Sequence, residues 1–196
     1  MITITSEFAC IYVNIRAILF ICCVVMSTLM VMSVRKLNES EAHAVSDISS
    51  SSWHSTYREI YSNDYIERWL ADHYSEEAVK KEIEKSLHDE KLLFLGAFED
   101  SICVGFIECN ISGKGAHLLR LYLKPDKIGQ GYGKGLLQNL EKHFKKFMVR
   151  ECFLEVNRLN LHAISFYKQF GFIITNDSVS SRRQNHIHIS LWHFYP

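Results

Sequence analysis

The stretch Leu121-Tyr122-Leu123-Lys124-Pro125-Asp126-Lys127-Ile128-Gly129-Gln130-Gly131-Tyr132-Gly133-Lys134-Gly135 decides the fold. Its first residues close an apolar run, Ala116–Leu123, that reads as a strand, and Pro125-Asp126 stops it. Four glycines then fall within seven residues and lead straight into a helical stripe, Leu136, Leu137, Leu140, Phe144 and Phe147. A strand, a glycine-rich turn and a helix N-terminus together form an anion site. Glycines let backbone approach oxygen atoms, the first-turn N–H groups are unpaired, and the helix dipole adds positive potential. Lys127 and Lys134 add formal charge.

Two anion-binding patterns are excluded by spacing. A Walker loop needs Gly-Lys-Ser/Thr, but Gly133-Lys134 is followed by Gly135, so the magnesium-binding hydroxyl is missing. A dinucleotide fingerprint needs G-x-G-x-x-G, and Gly129-Gln130-Gly131-Tyr132-Gly133 misplaces the third glycine.

Upstream, Ser33–Leu37 reads as a first strand, with Asn38 or Ser40 as the cap of the next helix. Glu39–Ile60 predicts a helix with a bent middle at Ser49–Ser52, and it carries Trp53 and Tyr57 at helical spacing. Asp64 is expected to cap Tyr65–His73, and Ser75-Glu76-Glu77-Ala78 opens a helix running to about His88. Leu92–Phe98 and Ile102–Ile111 predict a hairpin that turns at Glu99-Asp100. Downstream, Cys152–Val156 predicts a strand and Asn160–Phe170 a helix with Gly171 as C-cap. Phe172–Thr175 and Ile187–Phe194 predict two closing strands. The order is a mixed α/β sandwich, a sheet flanked by helices.

Length and composition agree with one globular domain: 196 residues, 47% hydrophobic, 22% charged and only 2 prolines. A formal net charge of zero gives no general pull toward nucleic acid. The zero conceals an asymmetry. Residues 59–100 hold twelve acidic and five basic side chains, and residues 120–150 hold eight basic and two acidic ones. Two oppositely charged solvated surfaces would look the same. A polyanionic cofactor on the basic half and a cationic substrate near the acidic half is the sharper reading. None of the six cysteines is spaced as a zinc pair or a disulfide framework, so a reducing, cytoplasmic setting is expected.

Residues 1–31 stand apart from a domain expected at 32–196. Ala17–Val34 carries no charge over eighteen residues, which is marginal as a membrane anchor. Internal Met30 and Met32 offer the other explanation, a start assigned too early, and that is the reading we adopt as the expectation. Membrane association is expected only if residues 1–31 are part of the native chain.

Two motifs carry a resemblance. The first is Leu121-Tyr122-Leu123-Lys124-Pro125 followed by Gln130-Gly131-Tyr132-Gly133-Lys134-Gly135. The second is Asn160, Ala163, Phe166, Tyr167, Gly171 and Phe172, in the pattern Asn-x-x-Ala-x-x-Phe-Tyr-x-x-x-Gly-Phe. In this order they resemble motifs of the GNAT superfamily of acyl-CoA N-acyltransferases, over roughly residues 33–194. Tyr65-Ile66-Glu67, Phe94-Leu95-Gly96-Ala97-Phe98, Gly105-Phe106-Ile107-Glu108 and Leu118–Pro125 look most like the PaiA-type polyamine acetyltransferases, particularly archaeal ones.

The resemblance implies a splayed central sheet and acetyl-CoA as co-substrate. It implies that the backbone of Leu121, Tyr122 and Leu123 pairs with the pantetheine arm. The amides of Gln130, Gly131, Tyr132, Gly133, Lys134 and Gly135 would hold the pyrophosphate. Asn160 would orient the pantetheine end, and Tyr167 would donate a proton to the leaving thiolate. Without the motif, Tyr167 reads as a core aromatic.

The expected acceptor is a small primary amine, spermidine or spermine among them. An alkylammonium has a pKa of about 10 and must lose a proton before it attacks. Glu108 is the first candidate base, although an ordinary outward-facing strand position fits it equally. His117 and Glu155 are weaker candidates. Backbone N–H groups near Leu121–Leu123 would serve the developing oxyanion. No metal is expected: His186 and His188 share a strand face, but with His193 they lack an acidic or cysteine partner at ligand spacing. A protein N-terminus or lysine as acceptor, and a non-catalytic acyl-CoA-binding module, are the competing readings. The oligomeric state, a homodimer included, is left open.

Overall fold

The computed structural model describes residues 32–176 and, for 186–192, the backbone. The expectations for residues 1–31, for the side chains of His186 and His188 and for His193 lie outside the described residues. A first strand, β1 (Met32–Lys36), is followed by a 3-10 turn at Glu39–Glu41 and three helices: α1 (Ala42–Tyr57), α2 (Asn63–Tyr74) and α3 (Glu76–His88). Three strands come next, β2 (Leu92–Glu99), β3 (Ile102–Ser112) and β4 (Gly115–Leu123). Then α4 (Tyr132–Phe147), β5 (Glu151–Asn157), α5 (Leu161–Gln169), β6 (Ile173–Asn176) and β7 (His186–Trp192) complete the order.

The strands form one seven-stranded sheet in the order β1-β2-β3-β4-β5-β7-β6. Every neighbouring pair is antiparallel except β4 and β5, which are parallel and therefore need a crossover, supplied by α4. The unbroken apolar run of β2 follows from helices on both faces. Leu93, Leu95 and Ala97 point into a core under α4 and α5, with Ile107, Leu136, Leu140 and Phe144. Phe94 and Phe98 point into the other core, under α1–α3, with Leu37, Ile48, Ile66, Ile83 and Phe106.

Two local expectations are corrected. The serines of α1 do not interrupt it: Ser49 Oγ donates to Val45 O (2.8 Å) and Ser51 Oγ to Ile48 O (3.1 Å), so the hydroxyls are satisfied within a continuous helix. The cap of α2 is Ser62, whose hydroxyl accepts from Tyr65 N–H (3.3 Å), and Asp64 stands in the first turn, where its charge suits the dipole. The other predicted caps agree. Asn38 and Glu41 form a reciprocal capping box, and Ser75 caps α3.

Candidate active site

The parallel pair β4/β5 is short. It joins Gly115 to Glu151, Ala116 to Cys152 and His117 to Phe153, and beyond His117 the two strands are not paired, although β4 continues to Leu123 and β5 to Asn157. The parting has a local cause. Glu108 faces Arg120 while Cys109 faces Leu118, so Leu119 is an extra residue in β4, a bulge that bends the strand just after its last bond to β5.

The alternation of an antiparallel ladder then fixes which backbone groups face the gap. Lys124 N–H donates to Val104 O (2.8 Å), so Tyr122 and Arg120, in the same phase, direct their backbone groups to β3. Leu121 and Leu123 direct theirs into the gap. Within Leu121–Leu123, Tyr122 thus differs from its neighbours: its backbone belongs to the sheet. Its hydroxyl accepts from Trp53 Nε1 (3.1 Å) and from Tyr74 Oη (3.1 Å) on the α1–α3 face.

At the end of β4 a 3-10 turn, Pro125–Lys127, leads to the glycine turn. Gly131 is the N-cap of α4 with φ 93°, a left-handed conformation that an L side chain adopts only with strain. The first intrahelical bond runs from Gly135 N–H to Gly131 O (2.9 Å), and no side chain caps this end. The N–H groups of Tyr132, Gly133 and Lys134 precede that bond and are the orphan donors an anion would meet. A Cβ at Gly135 would meet only the flexible end of the exposed Met32 side chain of β1, which can move aside.

The charges around the turn are not as the sequence suggests. Lys127 is ion-paired with Glu99, which also accepts from Tyr132 Oη (2.9 Å), so its charge is already matched. Lys134 is exposed at the turn. Gln130 Nε2 donates to Asp126 O (2.6 Å), which braces the loop from within.

Across the gap, Asn160 caps α5: its Oδ1 accepts from Ala163 N–H (3.1 Å). Tyr167, two turns further on, is buried. Burial first, then the nearby Tyr122 hydroxyl, Cys152 thiol and Tyr57 hydroxyl, push its phenol above the ordinary range. It is therefore protonated at neutral pH and chemically able to donate. Asn157, at the end of β5, gives Nδ2–H to Tyr61 Oη (2.8 Å). Tyr61 and Tyr122 thus tie the α1–α3 layer to both sides of the gap.

Glu108 is not an outward-facing strand residue. It lies on the α1–α3 face of β3, 3.2 Å from Arg120 Nε, and Arg120 also makes two bonds to Glu82 (2.8 and 3.2 Å). The Glu108–Arg120 contact lacks hydrogen-bond geometry, so the buried Oε2 accepts no bond from protein. Desolvation consequently outweighs the pull of Arg120, and with Glu82 adding repulsion it raises the carboxyl to about 7. His117 stacks on Phe153 with ring centres 4.4 Å apart, and Glu155 is half-buried opposite His188 in the β5–β7 register. Among the described residues there is no cluster of ligands for a metal ion, and no helix long and apolar enough to cross a membrane. Cys103, Cys109 and Cys152 are free thiols.

Several residues at this site were not marked by the sequence motifs: Trp53, Tyr57, Tyr61, Tyr74, Arg120 and Asn157. For Trp53 and Tyr57 the signal was helical spacing and for Arg120 its place within the Leu118–Pro125 match; Asn157 had none.

Comparison with known proteins agrees with this geometry. Residues 54–172 match the acetyltransferase (GNAT) family. The chain is 43% identical, over 143 residues, to the spermidine N(1)-acetyltransferase of Thermoplasma acidophilum, covering 73% of this chain and 89% of that protein. It superposes with TM-score 0.78 and 38% identity on the crystal structure of the PaiA N-acetyltransferase from Thermoplasma acidophilum in complex with coenzyme A, covering 84% of this chain and all of that one. The ribosomal-protein-S18-alanine N-acetyltransferase from Escherichia coli, at 19% identity and TM-score 0.62, shares the fold. The parted strands, the glycine turn and the family match converge: this chain belongs to the acetyltransferase (GNAT) family and is an N-acetyltransferase with acetyl-CoA as its co-substrate.

Proposed function

We propose that this enzyme acetylates a polyamine, spermidine or spermine, by direct attack of one amine on the acetyl-CoA thioester. The observation that supports the reading is the parting of β4 from β5 beyond His117, next to a chain region, residues 59–100, that is rich in acid. The 43% identity to a spermidine acetyltransferase supports the same acceptor class.

In this reading the gap-facing backbone of Leu121 and Leu123 holds the pantetheine arm, and Tyr122 fixes the strand that carries them. The turn Gln130–Gly135 holds the pyrophosphate, chiefly through the amides of Tyr132, Gly133 and Lys134. Asn160 positions the end of α5 against the arm. A carbonyl between β4 and β5 would polarise on the Leu121 and Leu123 N–H groups as the tetrahedral intermediate forms. Tyr167 then protonates the departing thiolate. Glu108, raised to about 7, removes the ammonium proton directly or through water, because a base poised near the working pH is the effective one.

Incubating the protein with acetyl-CoA and either spermidine, spermine or a lysine peptide, and measuring thiol release, tests the acceptor. Turnover with the polyamines above the peptide is expected. Coenzyme binding without polyamine-dependent turnover would overturn the proposal.

A further inference from the structure

Trp53, Tyr57, Tyr61, Tyr65, Trp69 and His73 recur every four residues through α1, the connecting turn and α2. The structure shows why the spacing matters. Successive ring centres lie 4.7 Å (Trp53–Tyr57), 5.8 Å (Tyr57–Tyr61), 4.8 Å (Tyr61–Tyr65) and 6.2 Å (Tyr65–Trp69) apart. Trp69 then returns to Trp53 at 5.6 Å, so five rings close on themselves. His73 stacks on Trp69 at 3.8 Å.

Leucine or isoleucine would join two helices as well, without leaving rings partly exposed. Here Tyr57, Tyr61 and Trp69 are half-buried, and Tyr65 is 39% exposed. The group is also held in place from the reaction side. Trp53 Nε1 donates to Tyr122, and Asn157 donates to Tyr61. Each of those partners sits at the end of β4 or β5 that borders the gap. Beside the rings, Glu67 of α2 pairs with His54 at 3.1 Å, and Asp64 stands in the first turn. Arg68 is directed to the Asp64 carbonyl (3.1 Å).

Resting on the polyamine reading, we infer that this ring of five aromatic side chains is the subsite for the remote ammonium group of the acceptor. Ring faces carry negative potential and attract an alkylammonium, while leaving a neutral chain of the same shape little favoured. The division of labour comes from the chemistry. The reacting nitrogen must be neutral to attack, so a cation-binding surface at that nitrogen would oppose the reaction. A second ammonium, several methylenes away, stays charged throughout and can be bound without that penalty. The aromatic ring therefore selects diamines and polyamines over monoamines and aims the far amine at the thioester.

The test compares 1,4-diaminobutane with n-butylamine, which is the same chain without the second cation. In the wild type, kcat/KM for the diamine should exceed that for the monoamine by tenfold or more. Trp69→Leu and Tyr65→Leu should each reduce that ratio several-fold, and Trp69→Phe, which keeps a ring face, should restore most of it. Tyr65 is the more exposed of the two, so its variant guards against a folding failure at Trp69. A second readout needs no turnover: choline should compete with the acceptor at least tenfold better than its uncharged isostere 3,3-dimethylbutan-1-ol. An unchanged ratio in both leucine variants, or equal competition by choline and its isostere, would overturn the inference while acetylation of spermidine still stood. Absence of polyamine acetylation by the wild type would instead overturn the reading on which it rests.

Discussion

The two layers on either side of the sheet are built on different rules. On the α4–α5 side, the groups proposed to meet the coenzyme are backbone N–H donors, glycines and residues spaced along single helices. The proposed roles of Gly131, Asn160 and Tyr167 rest on local geometry. On the α1–α3 side, the arrangement comes from side chains brought together over long distances in sequence, as in Trp53 with Tyr122 or Tyr61 with Asn157. A cofactor of fixed shape is served by a fixed local pattern. An acceptor amine is served by shape and charge, which many sequences can supply.

This contrast can be broken by substitution, and the largest effect is expected at Tyr167. Tyr167→Phe removes the proton donor while keeping a ring of nearly the same size in a buried site. We expect kcat to fall about 100-fold, the lower end for loss of a general acid, with coenzyme affinity by calorimetry nearly unchanged. An unaffected kcat would move the acid role elsewhere and leave Tyr167 as core.

Gly131→Asp should act on coenzyme binding, with a modest cost to stability. Nothing within 4 Å obstructs a Cβ there, so the cost to folding is the left-handed φ, roughly 1–2 kcal/mol. The added carboxylate would face the orphan N–H groups and repel a pyrophosphate. Affinity for coenzyme A should fall about tenfold or more, about 1.4 kcal/mol. Unchanged affinity would count against the turn as the phosphate site.

Glu108 tests the acceptor side through pH. Its folded value, about 7, lies above the ordinary carboxylate value of 4.5. Between those values the folded state holds a proton that the unfolded chain has lost. Its contribution to stability is thus fully present below pH 4.5 and declines as pH rises through 7, by at most about 1.4 kcal/mol per pH unit. Glu108→Gln should remove that part of the slope in denaturant titrations, while Arg120 keeps Glu82 as partner. If Glu108 is the base, the same variant also loses the limb near pH 7 in kcat/KM. Loss of the slope with retention of the limb would make Glu108 a structural group only.

The smallest effect is expected at Ser62. Ser62→Ala removes the α2 cap and should cost about 1 kcal/mol of stability. The kinetic constants of the coenzyme half should not change with it.

The same contrast explains what could be read from the sequence. Strand and helix order came from apolar runs and caps, and Gly129–Gly135 with Asn160–Phe172 named the family. The serines at 49–52 misled because isolated serines favour turns, whereas here each hydroxyl of Ser49 and Ser51 finds a carbonyl one turn back. The matched charge of Lys127 was invisible because Glu99 lies at the end of β2, far away in the sequence. The burial of Glu108 against Arg120 depends on the bulge at Leu119, which has no local signature, and on where α3 packs, which its caps do not tell. The aromatic period was visible, but its closure from Trp69 back to Trp53 requires the angle between α1 and α2.

The most direct measurement is the mass of the amine product after the enzyme is mixed with acetyl-CoA and spermidine. Formation of monoacetylated spermidine in step with released coenzyme A is the predicted result. Release of coenzyme A with unmodified spermidine, or no reaction while coenzyme A binds, would contradict it.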